Sequence, residues 1–320
     1  MQASLQINLL FALFVVILTG LSLTGFYILW VLMEISTLVF IFISASRAKE
    51  SGVISLKYFV TQSFISMVLI INFMLLSSNQ DSWAYLLYSV LVSWKLGLPP
   101  FHSWFLNLIT DSSWFTFFLM STAMKIIPLF LMTIFLTPMS IFTALVSVAA
   151  PALSGVSSLS LKKIMGLSSM FTTGWVIVSM AVNNSGWALI FTIYSMMLVM
   201  FCILMSAKPE KSLDSSVVTC IADAYIVFMV LLSMSGIPPF AGFFIKLYVI
   251  TGLLDMGLFY LSAILVLISS LSVYMYIKTS FKYMSMLGAS LTSEKPMNNS
   301  LASLTTLNLF SGILIFMIYM

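Results

Sequence analysis

Apolar runs of about 18–25 residues follow one another along nearly the whole chain, each long enough to cross a hydrocarbon core of about 30 Å as a helix. This feature decides the fold class. Of the 320 residues, 61% are hydrophobic and only 7% charged, against roughly 25% charged in a soluble domain. A chain of this size cannot hide so much apolar surface from water, so its solvent is lipid. Backbone groups in hydrocarbon must be hydrogen-bonded internally, and continuous apolar runs do not fit the alternating pattern of a membrane barrel. The sequence therefore predicts an all-α polytopic membrane protein, a single membrane domain over 1–320 with no water-soluble domain.

Breaks at polar clusters give about eleven transmembrane helices, near 5–23, 25–45, 55–77, 83–107, 114–136, 139–158, 164–182, 187–206, 217–252, 258–278 and 301–319. Loops after even-numbered spans hold Arg47, Lys49, Lys162, Lys163, Lys208, Lys211, Lys278, Lys282 and Lys295, whereas loops after odd-numbered spans hold only Asp81 and Asp255. By the positive-inside rule the even loops face the compartment of synthesis, with the N-terminus inside and the C-terminus outside. The net charge of +4 thus reflects loop lysines, and no nucleic-acid partner is expected. Cys202 and Cys220 form no ligand spacing and read as small packing residues. No metal site is expected, and the N-terminus lacks the features of a signal or transit peptide.

The other basic residues, Lys57, Lys95, Lys125 and Lys246, fall within spans, as do Glu34 and Asp223. Lys57 and Asp223 are close enough to the inner face to snorkel. Glu34, Lys95 and Lys125 lie deeper, roughly nine to twelve residues from a span end, or about 13–18 Å at 1.5 Å per residue. A charge at the bilayer centre costs at least about 2.5 kcal/mol, so such residues face a polar interior and are functional candidates.

Two spans are also interrupted. Gly97-Leu98-Pro99-Pro100-Phe101 recurs as Gly236-Ile237-Pro238-Pro239-Phe240, each in a span with an intramembrane lysine: Lys95 before the first break, Lys246 after the second. Proline removes a donor and clashes with the preceding turn, so the helix stops and restarts. Paired broken helices in two halves point to a transporter built from repeats. The breaks are five spans apart, an odd number, so the halves are expected to be inverted five-helix repeats. Repeat one covers about 25–158 with its break at 97–100, repeat two about 164–278 with its break at 236–239, and a terminal helix covers 301–319.

Burial penalises the charge of an ammonium and a nearby carboxylate restores it. If the second and fourth spans pack together, Glu34 is the natural partner of Lys95, and moving the two together or apart would load and release a proton. Lys125 could take the proton next and Lys246 deliver it. Ser36, Thr37, Thr61, Gln62, Ser121, Thr122, Ser168, Ser169, Thr172 and Thr173 accompany these groups, mostly as glue between helices. His102 either relays protons or donates to a carbonyl freed by the break.

Together, LWVLMEIS (Glu34), LKYFVTQ (Lys57), KLGLPPFHSWF (Lys95 to Phe105), MKIIP (Lys125), LKKIMGLSSMFTTGW (Lys162 to Trp175), SGIPPFAGFFIK (Lys246) and YMYIK (Lys278) resemble the subunit 2 family of mitochondrial NADH–ubiquinone oxidoreductase, respiratory complex I, one of its antiporter-like subunits. The resemblance implies a proton-translocating membrane-arm subunit coupling NADH:ubiquinone electron transfer to proton movement. It makes Glu34 and Lys95 the coupling pair, Lys125 the link between half-channels and Lys246 the far-half lysine, with Lys57, His102 and Thr172 as accessory candidates. It further implies a chain without cofactors of its own, enzymatic only as part of NADH:ubiquinone reductase. Its partners would be other membrane and accessory subunits and phospholipids, and its location the mitochondrial inner membrane, with the N-terminus on the matrix side and the C-terminus on the intermembrane side. Eleven spans beginning inside resemble the shortened bilaterian form, and the 24 methionines suit a mitochondrial gene. Two departures stand out: Thr172 occupies the place of a histidine common in the family, and Asp223 replaces an apolar residue. The alternatives are a stand-alone cation/proton antiporter and a structural membrane subunit with vestigial lysines.

Overall fold

The computed structural model describes residues 2–46, 52–78, 82–158, 160–183, 185–206, 221–238 and 240–287. Expectations on Arg47, Lys49, Asp81, Lys208, Lys211, Cys220, Pro239, Lys295 and the span at 301–319 lie outside the described residues, as does the side chain of Asp223. Among the described residues there is no strand. Their helices, in order, are α1 (Gln2–Ser22), α2 (Phe26–Ala45), α3 (Gly52–Ser78), α4 (Ser82–Lys95), α5 (Ser103–Asp111), α6 (Trp114–Ser121), α7 (Ala123–Ile134), α8 (Pro138–Ser157), α9 (Leu161–Val182), α10 (Gly186–Ser206), α11 (Ile221–Ser235), α12 (Ala241–Asp255) and α13 (Phe259–Leu287).

Eight segments among the described residues are helical, long and apolar enough to cross a membrane. The fourth and ninth expected spans are not single rods: each is a pair of shorter helices, α4 with α5 and α11 with α12. A further interruption, absent from the expectations, divides the fifth span at Thr122 between α6 and α7. Pro128 lies in the second turn of α7 and cannot donate to the carbonyl of Met124. At the junction the amide of Lys125 bonds instead to the carbonyl of Thr122 three residues back, at 3.0 Å.

The chain divides into two compact units, Met1–Ser147 and Val148–Met320, with the boundary inside α8. In the first unit α2 packs on α1, α3 and α7, and α3 packs on α4 and α5. Leu29, Met33, Phe40, Ile65, Tyr88 and Phe105 are its buried centre. Polar groups cross between helices at a few points. The Trp30 indole donates to the Ser66 carbonyl at 3.0 Å, the Asn72 amide to Ala84 at 3.1 Å and the Tyr88 hydroxyl to Leu131 at 2.9 Å. Leu131 is in the last turn of α7, so its carbonyl is one of those a helix end leaves without an internal donor.

In the second unit α9 is buried along most of its length and packs on α10 and α12, while α11 packs on α10, α12 and α13. The last turns of α8 are tied to α13. The Lys278 ammonium donates to the Val156 carbonyl at 2.8 Å, and Gly155 leaves room for Met275, which a methyl at that position would strike.

Candidate functional site

The first interruption begins at the last residue of α4, Lys95. The Gly97 amide bonds to the Trp94 carbonyl and the Leu98 amide to the Ser93 carbonyl, both at 3.0 Å, with Gly97 at φ 72°. This is the Schellman closure, in which the residue after the cap must adopt a left-handed conformation open to glycine. It leaves the Lys95 carbonyl outside the helical ladder, and the Gln62 side-chain amide of α3 donates to it at 3.4 Å. The Lys95 side chain leaves in the other direction. Helical side chains lean toward the N-terminus of their own helix, and here the ammonium meets α2, with Nζ 3.1 Å from Glu34 Oε1. The lysine side chain is 3% exposed and the glutamate 25%, so the cation is enclosed while the carboxylate keeps an open edge. Tyr58 of α3 is within electrostatic reach of Glu34, a neighbour that the sequence reading did not single out.

Beyond the turn, α5 starts at Ser103. A methyl on Gly97 would stand 2.9 Å from Phe105 Cβ, so glycine lets the turn rest directly on that ring. The Lys125 ammonium lies over the same ring, 4.8 Å from its centroid, and Lys125 is 2% exposed. Phe105 is therefore a neighbour common to the turn at Gly97 and the ammonium of Lys125. His102, half-buried, has Nδ1 3.2 Å from the Pro100 carbonyl, so an Nδ1–H tautomer donates to a carbonyl within the break. Lys57 is exposed on α3, where it borders an open groove with Thr61, Trp104 and Asn107.

The second interruption follows α11. Gly236 has φ 78° and its amide bonds to the Ser233 carbonyl at 3.3 Å, and α12 restarts at Ala241. Lys246, in the second turn of α12, leans back toward the N-terminus of that helix and donates to the Ser235 carbonyl at 2.6 Å. Its ammonium also lies 5.5 Å from the centre of the Phe171 ring on α9. Glycines make this possible. A methyl on Gly236 would fall 2.8 Å from Lys246 Cε, and one on Gly242 would collide with the Ser233 carbonyl oxygen. Thr172, the other accessory candidate, lines one small cavity together with Lys246.

The hydroxyl residues bond first to their own helices, and Ser168 and Thr172 of α9 also reach across to Tyr194 of α10, as Ser168 does to Tyr276 of α13. Ser36, Thr37, Thr61, Ser121, Thr122, Ser168, Ser169, Thr172 and Thr173 each donate to a carbonyl three or four residues back on their own helix. In hydrocarbon the local bond satisfies the hydroxyl proton and leaves its oxygen able to accept from a neighbouring helix. Gln62, with its longer reach, does cross between helices. Among the described residues no three His, Cys, Asp or Glu side chains gather as a metal site requires.

The family described as NADH:quinone oxidoreductase/Mrp antiporter matches residues 20–272. NADH-ubiquinone oxidoreductase chain 2 of Anopheles gambiae is 30% identical over 266 residues, covering 79% of this chain and 78% of that protein. The chain belongs to the NADH-ubiquinone oxidoreductase chain 2 family. The chain 2 protein of Aedes aegypti is likewise 30% identical over 305 residues, covering 89% of both chains. Among solved structures, a chain of the Thermus thermophilus respiratory complex I with bound aureothin shares the fold. Its TM-score is 0.70 at 17% identity, over 90% of this chain and 73% of that one. A chain of the archaeal membrane-bound sulfane sulfur reductase aligns with a TM-score of 0.77 at 16% identity, over 96% and 73%. Antiporter-like architecture is thus common to this family and to more distant membrane complexes.

Proposed function

We propose that this chain is a proton-translocating membrane-arm subunit of respiratory complex I in the inner mitochondrial membrane. It has no redox centre of its own and works against other subunits and phospholipid. Its N-terminus lies on the matrix side and its C-terminus on the intermembrane side, and its two halves are inverted five-helix repeats, each with one interrupted helix. The observation that carries the reading is the enclosed 3.1 Å contact between Lys95 and Glu34 beside a break in α4–α5.

Glu34 and Lys95 form the coupling pair. Together the ions are mutually stabilised; apart, the enclosed amine has lost its counter-charge and gives up a proton more readily. The open edge of Glu34 makes it the member able to move or hydrate, because Lys95 is the more deeply enclosed of the two. Lys125, whose ammonium lies over the Phe105 ring, takes the proton from the pair. Lys246 serves the far half, and electron transfer elsewhere in the assembly supplies the energy.

Lys95→Met and Glu34→Gln variants of the assembled complex, reconstituted in proteoliposomes, test the assignment through protons moved per NADH oxidised. Both should pump at less than about a tenth of the parental rate, a barrier raised by at least about 1.4 kcal/mol, because neither variant keeps an amine and a carboxylate that can exchange a proton. Intact pumping and coupled turnover in both variants would establish the scaffold reading instead. Co-migration of the chain with a large NADH-oxidising assembly on a native gel separates this function from a stand-alone antiporter, which would run apart from that activity.

A further inference from the structure

The groove beside Lys57 serves no step of the mechanism proposed above. It opens between α3 and α5, which pack together within the first unit. Its volume of about 430 Å³ is within the range of small-ligand sites. Val60, Leu108 and the Trp104 ring form its apolar wall, and Lys57, Thr61 and Asn107 are its polar groups. The Trp104 ring packs against Phe105 and Tyr58, with centroids 5.8 and 6.3 Å apart, so the concavity is formed without a ligand.

The polar groups have capacity to spare. Among the described residues the Lys57 ammonium makes no ion pair or hydrogen bond, and neither does the Asn107 side-chain amide. Thr61 gives its proton to carbonyls of its own helix. The Trp104 indole N–H makes no hydrogen bond of ordinary geometry among the described residues, although it is shut off from the surface. Such a donor calls for an acceptor, and an indole turned slightly outward would find one in an oxygen held in the groove. No carboxylate lines the groove; Asp111, one turn beyond Asn107, is not part of its wall. One cation, neutral donors and no anion suit a ligand with several acceptor oxygens and a negative charge. A phosphodiester has both.

The depth of the groove names the carrier of that phosphate. Helix α3 has 27 residues, about 40 Å at 1.5 Å per residue, against a hydrocarbon core of about 30 Å. Its end turns therefore project into the headgroup layers, and Lys57 is in the second turn. Trp104 suits the same layer. From Leu56 onward Val60, Phe64, Met67 and Ile71 are exposed, and their spacing keeps them on one face of the helix. Val60 to Ile71 covers about 16 Å, close to half the core and so to the depth that one leaflet's acyl chain reaches. The geometry points to a binding site for an anionic glycerophospholipid, its phosphate on Lys57 and Asn107 and one acyl chain along the α3 stripe. A zwitterionic headgroup fits less well, because its ammonium would meet Lys57 and no carboxylate. Only the naming of the leaflet as the matrix one rests on the orientation proposed above.

Photolabelling of the assembled complex in nanodiscs tests the site. A photoactivatable phosphatidylglycerol should mark residues 56–61 and 104–108 when peptides are mapped by mass spectrometry. Lys57→Met should cut this labelling about fivefold, the worth of one lysine near an anionic surface, and Lys57→Arg should keep it. Val60→Trp, which fills the groove from an exposed position, should lower labelling with the charge intact. The phosphatidylcholine analogue should label more weakly, and excess inorganic phosphate should leave labelling unchanged. An experimental density map should show a phosphate peak within about 4 Å of Lys57 Nζ, the reach of an ion pair. Equal labelling in Lys57→Met, equal labelling by the phosphatidylcholine analogue, displacement by inorganic phosphate, or polypeptide density in the groove each overturns the proposal. None of these readouts involves pumping, so their failure leaves the Glu34–Lys95 assignment standing, and the loss of that assignment leaves the lipid site standing.

Discussion

The two interrupted helices solve one electrostatic problem by different covalent routes. Each break ends a half-helix whose exposed carbonyls carry partial negative charge, and a lysine stands at each end. At the first, Lys95 is the terminal residue of α4, and its side chain leans away from the break to a carboxylate on α2. At the second, Lys246 comes from the restarting helix α12, leans back and takes the Ser235 carbonyl itself. The first lysine thus has a partner that can change charge and the second a partner that cannot. The same rule of side-chain direction yields a switchable pair when the lysine precedes the break and a fixed tether when it follows.

Substitutions test that contrast, and Lys95→Met against Lys246→Met should have the largest effect. Losing Lys95 should abolish coupling to below about a tenth of parental pumping, with the chain still assembled, since Glu34 keeps an open edge and can be hydrated. Losing Lys246 should stop pumping and also weaken assembly, because the Ser235 carbonyl is left without its donor at a cost of about 1–3 kcal/mol. Native-gel yield against proton movement separates them, and equal assembly in both would erase the distinction drawn here. Next is Gly242→Ala. Its methyl would strike the Ser233 carbonyl oxygen, a backbone atom, so overpacking of about 3 kcal/mol should cut the assembled fraction sharply, as a quantitative gel would record.

Gly97→Ala and Gly236→Ala share a left-handed backbone cost of about 1–2 kcal/mol and so should lower thermal stability to a similar degree. They should differ in function. The methyl at 236 displaces Lys246 directly, whereas that at 97 displaces Phe105 and reaches Lys125 only through the ring. Pumping per assembled complex should therefore fall further in Gly236→Ala; the reverse order would mean that the tether at Ser235 is functionally idle. Smallest is Gln62→Leu. Its contact with the Lys95 carbonyl is long, at 3.4 Å, so its loss should cost about 1 kcal/mol or less, read as a small shift in melting of the complex with pumping unchanged.

The sequence made the broken helices legible because Gly-x-Pro-Pro removes both the donor and the conformational bias that a helix needs. Charges in hydrocarbon were legible for a related reason: Glu34 and Lys95 had few alternatives to each other. The interruption at Thr122 escaped notice because it has no glycine or proline of its own. Pro128 stands six residues downstream, inside α7, and frees the Met124 carbonyl rather than marking Thr122 itself. Tyr194, Tyr276 and Tyr58 were missed because hydropathy counts a tyrosine in an apolar run as packing, and only three-dimensional proximity reveals which hydroxyls meet. Serine and threonine were legible only in part, since each also has an acceptor on its own helix.

The clasp at Ser235 ties chemistry to mechanics. The amine proposed to carry a hydrogen ion is also the latch that holds two half-helices end to end, so each arrival or departure of that ion alters how firmly the latch grips. A change in charge at one atom is in this way felt as slackness in the scaffold, and strain applied to the scaffold from outside would in turn bias the ion's departure.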